Sequence, residues 1–120
     1  MYELIVIGWG GMASLAAGLT LANSCPACNH RNYAIAEPSQ LIEPASWDGS
    51  DLFIVWPLPR FRFASERLAN ILRNERVTGV KLVSAPEIPF EPGNRATPGR
   101  LLNWMPASRA HALGDKLEIN

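Results

Sequence analysis

Residues 5–13 read IVIGWGGMA, and how they are read decides the fold. An apolar, β-branched run enters Gly8, Gly10 and Gly11, and an Ala-rich segment follows. The pattern predicts a strand over residues 2–7, a glycine turn, and a short helix over residues 12–22, weakened by Gly18. A strand–glycine turn–helix unit is what a dinucleotide site needs. The backbone must turn sharply and approach a pyrophosphate, and the helix N-terminus supplies N–H groups. Gly8-x-Gly10-x-x-Ala13 fits the permissive form of that fingerprint, and Glu37, after Tyr33-Ala-Ile-Ala, is placed to bond a ribose.

Two features count against FAD or NAD as cofactor. The gap from Ala13 to Glu37 exceeds the expected ~20 residues and holds a Pro-bearing CPACNH turn. Downstream, only residues 60–83 repeat the strand–helix alternation, whereas a doubly wound sheet needs several crossovers. The expectation is a glycine turn with no cofactor, and dinucleotide binding through Gly8, Gly10, Ala13 and Glu37 is the alternative.

Outward from this stretch, residues 33–36 read as a short strand and residues 52–56 as a buried strand stopped by Pro57 and Pro59. Arg60-Phe-Arg-Phe63 and Val80-Lys-Leu-Val83 alternate as half-buried strands do. Between them Ser65 opens the clearest helix, with Leu68, Ile71 and Leu72 on one face, expected to pack on strands 52–56 and 80–83. Asp48-Gly-Ser-Asp51 reads as a capped turn. Residues 84–100, with four prolines and two glycines, read as loop. A last helix begins near Pro106 and stops at Gly114. There is no internal repeat. The expected fold class is α+β: one domain over residues 1–120, with a short mixed or antiparallel sheet and two to three short helices.

Composition agrees with one small packed domain. The 120 residues are 48% hydrophobic and 18% charged, with 11 basic and 11 acidic side chains, which argues against disorder and against a global field for nucleic acid or membrane. The layout is less even. Glu37, Glu43, Asp48 and Asp51 fall in a stretch without Lys or Arg, and Arg60, Arg62, Arg67, Arg73 and Arg76 follow against Glu66 and Glu75. Residues 4–22 are uncharged, but glycines interrupt them and no basic residue precedes them, unlike an export signal or a span. A cytoplasmic location is expected.

Cys25 and Cys28 are the only cysteines, so there is no disulfide framework. Their spacing and proline suit a zinc knuckle, with Asn29 able to take φ > 0, but a closed site needs four ligands and only His30 and His111 are left. Metal-free thiols, zinc at Cys25, Cys28 and His30, and a redox pair all stay open. No nucleophile–base motif accompanies the histidines. Trp47, Trp56 and Trp104 read as core or interface anchors, because the arginines do not interleave with them.

DGSDLFIVWPLPRFRFASERLANILRNERVTGVKLV, residues 48–83, resembles the C-terminal part of bacterial immunity-type proteins, notably the double-CxxCG-motif family. The shared features are an Asp-Leu-Phe strand, a Phe63-Ala-Ser-Glu-Arg67 helix start and a Thr-Gly-Val turn, with a Cys pair upstream. This chain departs from the family in having one Cys pair, and Asn29 where the motif has Gly. The resemblance implies a non-enzymatic protein that binds and neutralises a cognate toxin. Loops on a rigid scaffold carry such contacts, so residues 43–51 and 57–62 are the expected contact segments, with Glu43, Asp48, Asp51, Arg60 and Arg62 as candidates. The expected partner is protein, not nucleic acid or membrane.

Overall fold

The computed structural model describes residues 1–28, 30–88 and 95–120. Its strands are β1 (Gly8–Met12), β2 (Thr20–Ser24), β3 (Arg31–Ala34), β4 (Leu52–Trp56), β5 (Phe63–Ala64) and β6 (Arg95–Ala96). Among the described residues two α-helices accompany them, α1 (Glu66–Asn74) and α2 (Ala107–Gly114). The strands form two three-stranded sheets, one mixed in the order β1-β4-β5 and one antiparallel in the order β2-β3-β6. The class is α+β.

Strand β4 explains itself. Successive side chains point to opposite faces, and both faces of Leu52-Phe-Ile-Val-Trp56 are covered. Ile54 and Trp56 join Val6, Trp9, Leu101, Met105, Ala110 and Ile119 in one core. Phe53 and Val55 join Ala13, Ala17, Ile35, Leu41 and Leu58 in the other. A strand buried on both sides is continuously apolar rather than alternating, as here.

The glycine run is placed differently from its expected position. Gly8 and Gly10 lie within β1, parallel to β4 with Gly8 opposite Phe53. Residues 2–7 precede the strand, and of them only Val6 is buried. The glycines answer to packing. A Cβ on Gly10 would stand 2.7 Å from a Phe53 ring carbon and 2.8 Å from Val55. Gly11 has φ +86°, where the β1–β4 register slips between Trp9 and Met12, and its Cβ would meet Ser46 at 2.4 Å.

No α-helix follows. Leu15–Ala17 is a single 3₁₀ turn whose Ala16 N–H donates to Ser14 Oγ, and Gly18 ends it at φ +66°. The chain leaves that turn as β2, because a left-handed glycine closes a helix and β3 offers β2 a partner. Ala36 and Glu37 both donate to Ala17 O, which fixes the chain after β3.

Further along, Asp48 Oδ1 accepts from Ser50 N at 3.0 Å, the expected capped turn. Arg60-Phe-Arg-Phe63 contributes only Phe63 to a strand, since a turn with Leu58 N donating to Val55 O and Phe61 N donating to Leu58 O precedes it. Helix α1 starts as read, with Leu68 N donating to Ser65 Oγ at 3.1 Å. It has no buried residue, however, and Ile71 is 50% exposed. The expected strand at residues 80–83 has no ladder, so α1 lacks the second sheet edge that would have covered it. Within residues 84–100, Ala85–Glu87 forms a 3₁₀ turn and β6 pairs with β3, while residues 89–94 lie outside those described. Helix α2 follows Pro106 and ends at Gly114 as read.

Candidate partner-binding surface

The acidic candidates hold the fold together. Asp48 Oδ2 accepts from Trp9 N at 2.9 Å and from Arg109 Nη2 at 2.7 Å. Partial burial opposes ionisation of Asp48, but bonds from Ser50 and Trp9 and the Arg109 charge outweigh it and hold the carboxyl below its usual range. Asp51 Oδ1 accepts from Ser65 Oγ at 2.5 Å and from Arg67 Nε at 3.0 Å, and Arg67 Nη2 bonds its other oxygen. Those bonds, with Arg67 the larger cause, also lower the Asp51 pKa. Asp48 thus ties the loop before β4 to β1 and α2, and Asp51 ties β4 to the start of α1. Glu43 is exposed, and among the described residues its carboxylate has one long 3.5 Å contact, from Ser14 Oγ.

The basic candidates are available at the surface. Arg60 and Arg62 are both exposed. Arg62 donates to the Pro59 carbonyl and stands 5.8 Å over the Trp104 ring, so its charge is held in one place. Pro57, Leu58 and Pro59, the first half of the expected contact segment 57–62, are buried, so only residues 60–62 of it reach the surface.

The second half of the surface was not read from sequence. Helix α1 and residues 81–88 flank a groove of about 520 Å³, whose walls include Phe61, Phe63, Ala69, Arg73, Lys81 and Val83. Beside it, Leu72, Arg76, Val77 and Val80 line a shallower hollow. Val77, Val80 and Val83 are exposed large apolar side chains in this region, whereas Ile71, also exposed, lines neither hollow and lies on the other side of α1 from Ala69 and Arg73. The alternation of Val80-Lys-Leu-Val83 predicted a strand. The same alternation without a pairing partner leaves an apolar surface. The positive run from Arg60 to Arg76 was the usable signal, and with Lys81 it places Arg62, Arg73 and Arg76 around the groove against Glu66.

Cys25 and Cys28 are free thiols in the turn joining β2 to β3, closed by Cys25 N donating to His30 O at 2.8 Å. The Cys28 thiol, helped by the backbone of Cys28 and Ala27, hydrogen-bonds Cys25 and lowers its pKa. Asn29 lies outside the described residues. Among the described residues no group of three or more His, Cys, Asp or Glu is placed to hold a metal ion, so His30 does not converge with the two thiols. Glu37 caps a 3₁₀ turn by accepting from Ser39 N and Oγ, and these bonds lower its pKa, the Ser39 hydroxyl most. Ala13 is buried in the core. The four residues of the dinucleotide alternative are therefore occupied by strand packing, core and a cap. No helix among the described residues is long and apolar enough to cross a membrane.

Comparison of the chain with known protein families, with curated proteins and with solved structures returns no match.

Proposed function

We propose that this chain is a non-enzymatic protein-binding domain of the immunity type, which neutralises a cognate toxin in the bacterial cytoplasm. The observation that carries the reading is the exposed apolar surface of Val77, Val80 and Val83 beside α1, ringed by Arg62, Arg73, Arg76 and Lys81. Contiguous exposed apolar surface with a polar rim marks a protein contact. The basic rim fits a partner that presents an acidic, amphipathic segment, and complementary charge speeds its encounter. With Asp48 and Asp51 engaged internally, the contact charge is positive.

The test is co-expression with the product of the adjacent gene. The expected result is co-purification and protection of the host cell from that product. Failure of both, with the two proteins folded and present, overturns the reading.

A further inference from the structure

A second cleft, of about 400 Å³, lies between the β2–β3 hairpin and the C-terminal segment. Its walls include Cys28, Arg31, Trp56, Arg100, Glu118 and Asn120. Two of these side chains carry a buried polar atom with no hydrogen-bond partner among the described residues, and the two atoms are of opposite kind: Trp56 Nε1 and Asn120 Oδ1. Trp56 is 1% exposed. The indoles of Trp47 and Trp104 by contrast donate to Ser50 O at 3.1 Å and Pro98 O at 2.7 Å.

An indole N–H only donates, so whatever completes Trp56 must accept. Asn120 cannot be turned over to relieve its oxygen. Its Nδ2 donates to Ala110 O at 2.8 Å and to Asp115 Oδ1 at 2.6 Å, and reversal would set oxygen against two acceptors. Whatever completes Asn120 Oδ1 must donate. The charges on the walls are likewise mixed. Arg31 and Arg100 are cationic and Glu118 is anionic, and the Arg31–Glu118 contact is long at 3.9 Å, leaving both guanidiniums able to meet a carboxylate.

We propose that this cleft binds a small carboxylic acid that also carries a hydrogen-bond donor, an α-hydroxy or α-amino acid. The carboxylate accepts from Trp56 Nε1 and is neutralised by Arg31 and Arg100. The hydroxyl or ammonium group donates to Asn120 Oδ1, with Glu118 favouring the ammonium. The volume falls at the small end of ligand pockets, roughly 300–1,000 Å³. This site is separate from the groove beside α1 and does not depend on the partner-binding reading.

The test follows the Trp56 indole proton in ¹H–¹⁵N spectra, assigned with Trp56→Phe, during titration with L-malate, succinate, L-glutamine and inorganic phosphate. Succinate is malate without its hydroxyl, so the pair isolates the donor in the wild-type chain. The expected result is a saturable downfield shift with L-malate or L-glutamine in the millimolar range. Succinate should bind at least about tenfold more weakly, because Asn120 Oδ1 stays unpaired. Arg31→Gln and Arg100→Gln should each weaken binding by about tenfold while keeping the dispersed spectrum of the folded chain. A stronger response to L-glutamine than to L-malate assigns the donor as ammonium, and the reverse assigns it as hydroxyl. No saturable shift, or succinate or phosphate binding as well as L-malate and L-glutamine, overturns the proposal.

Discussion

Arg109 Nη2 donates to Asp48 Oδ2 at 2.7 Å across 61 residues of sequence, and Arg109 Nε donates to Ile7 O at 3.2 Å. One guanidinium of α2 therefore holds both the entry to β1 and the loop before β4. The Asp48 side chain is 25% exposed, so water screens the pair only in part. Asp48→Ala should destabilise the fold by roughly 1–3 kcal/mol, since it also strips Trp9 N and Ser50 N of their acceptor. Arg109→Gln should cost less, and the double variant less than the sum, in urea midpoints. The pH dependence has a fixed sign. The folded carboxyl is held below its unfolded value of about 3.9, so the contribution is full above that value and is lost as pH falls through the lower folded one. The stability gap between wild type and Asp48→Asn should close over that acid range, and a gap constant down to about pH 2 would show that ionised Asp48 is not what the contact needs.

Gly10 faces Phe53 and Val55 too closely for a side chain. Gly10→Ala should cost roughly 1–3 kcal/mol through overpacking. The same packing leads to a binding expectation: NAD(H) and NADP(H) should give no saturable change, and the purified chain no flavin absorbance. Micromolar affinity for either nucleotide would return the glycine run to the dinucleotide reading.

How much of this was legible varies with what each segment depends on. Strand β4, the Ser65 cap and α2 were readable because continuous apolar sequence, a Ser-Glu start and a Pro–Gly frame are local signals. The N-terminal elements were not. Gly8 and Gly10 look like a turn from their own residue type, yet they lie in a strand packed against Ser50 and Leu52 (Gly8) and Phe53 and Val55 (Gly10), more than forty residues away in sequence. Residues 80–83 failed the other way: alternation permits a strand but cannot supply its neighbour. At the site, sequence found the charged candidates and could not tell which were engaged. Asp48 and Asp51 turned inward to Arg109 and Arg67, while Arg60 stayed at the surface.

The same contrast predicts a stability pattern. Ile54, in the two-sided strand, should lose roughly 2–5 kcal/mol on truncation to Ala. Ile71, half exposed on α1, should lose under about 1 kcal/mol by the usual scaling with buried area. Equal losses in chemical denaturation would mean that α1 is covered in solution by part of the chain itself.

Zinc provides a separate check on the Cys turn. Two thiolates make half of a tetrahedral set, and His30 does not complete a third position. Elemental analysis of chain purified without chelator should therefore give less than one zinc per chain. A value near one half, with a dimer by light scattering, would place two Cys25–Cys28 pairs around one ion. A full equivalent in a monomer would require His30 to swing toward the thiols.

The functional surface makes the sharpest demand. If the groove beside α1 and residues 77–83 meets the partner, Val80→Asp with Val83→Asp should abolish co-purification with the adjacent gene's product and leave the thermal midpoint within a few degrees of wild type. Both side chains are about half exposed and neither belongs to a core. Charge reversal of Arg73 and Lys81 to Glu should act mainly on association rate, and its effect should shrink as salt rises and the Debye length falls below about 10 Å. Asp48→Lys with Asp51→Lys is the informative contrast. It should lower stability first, because both carboxylates are engaged in the fold, and should weaken binding only where the chain has begun to unfold. If the acidic pair abolishes binding in a chain that remains folded while the groove variants bind normally, the contact surface lies on the loop of residues 43–51 instead. Normal binding by both sets of variants would place the contact on neither surface.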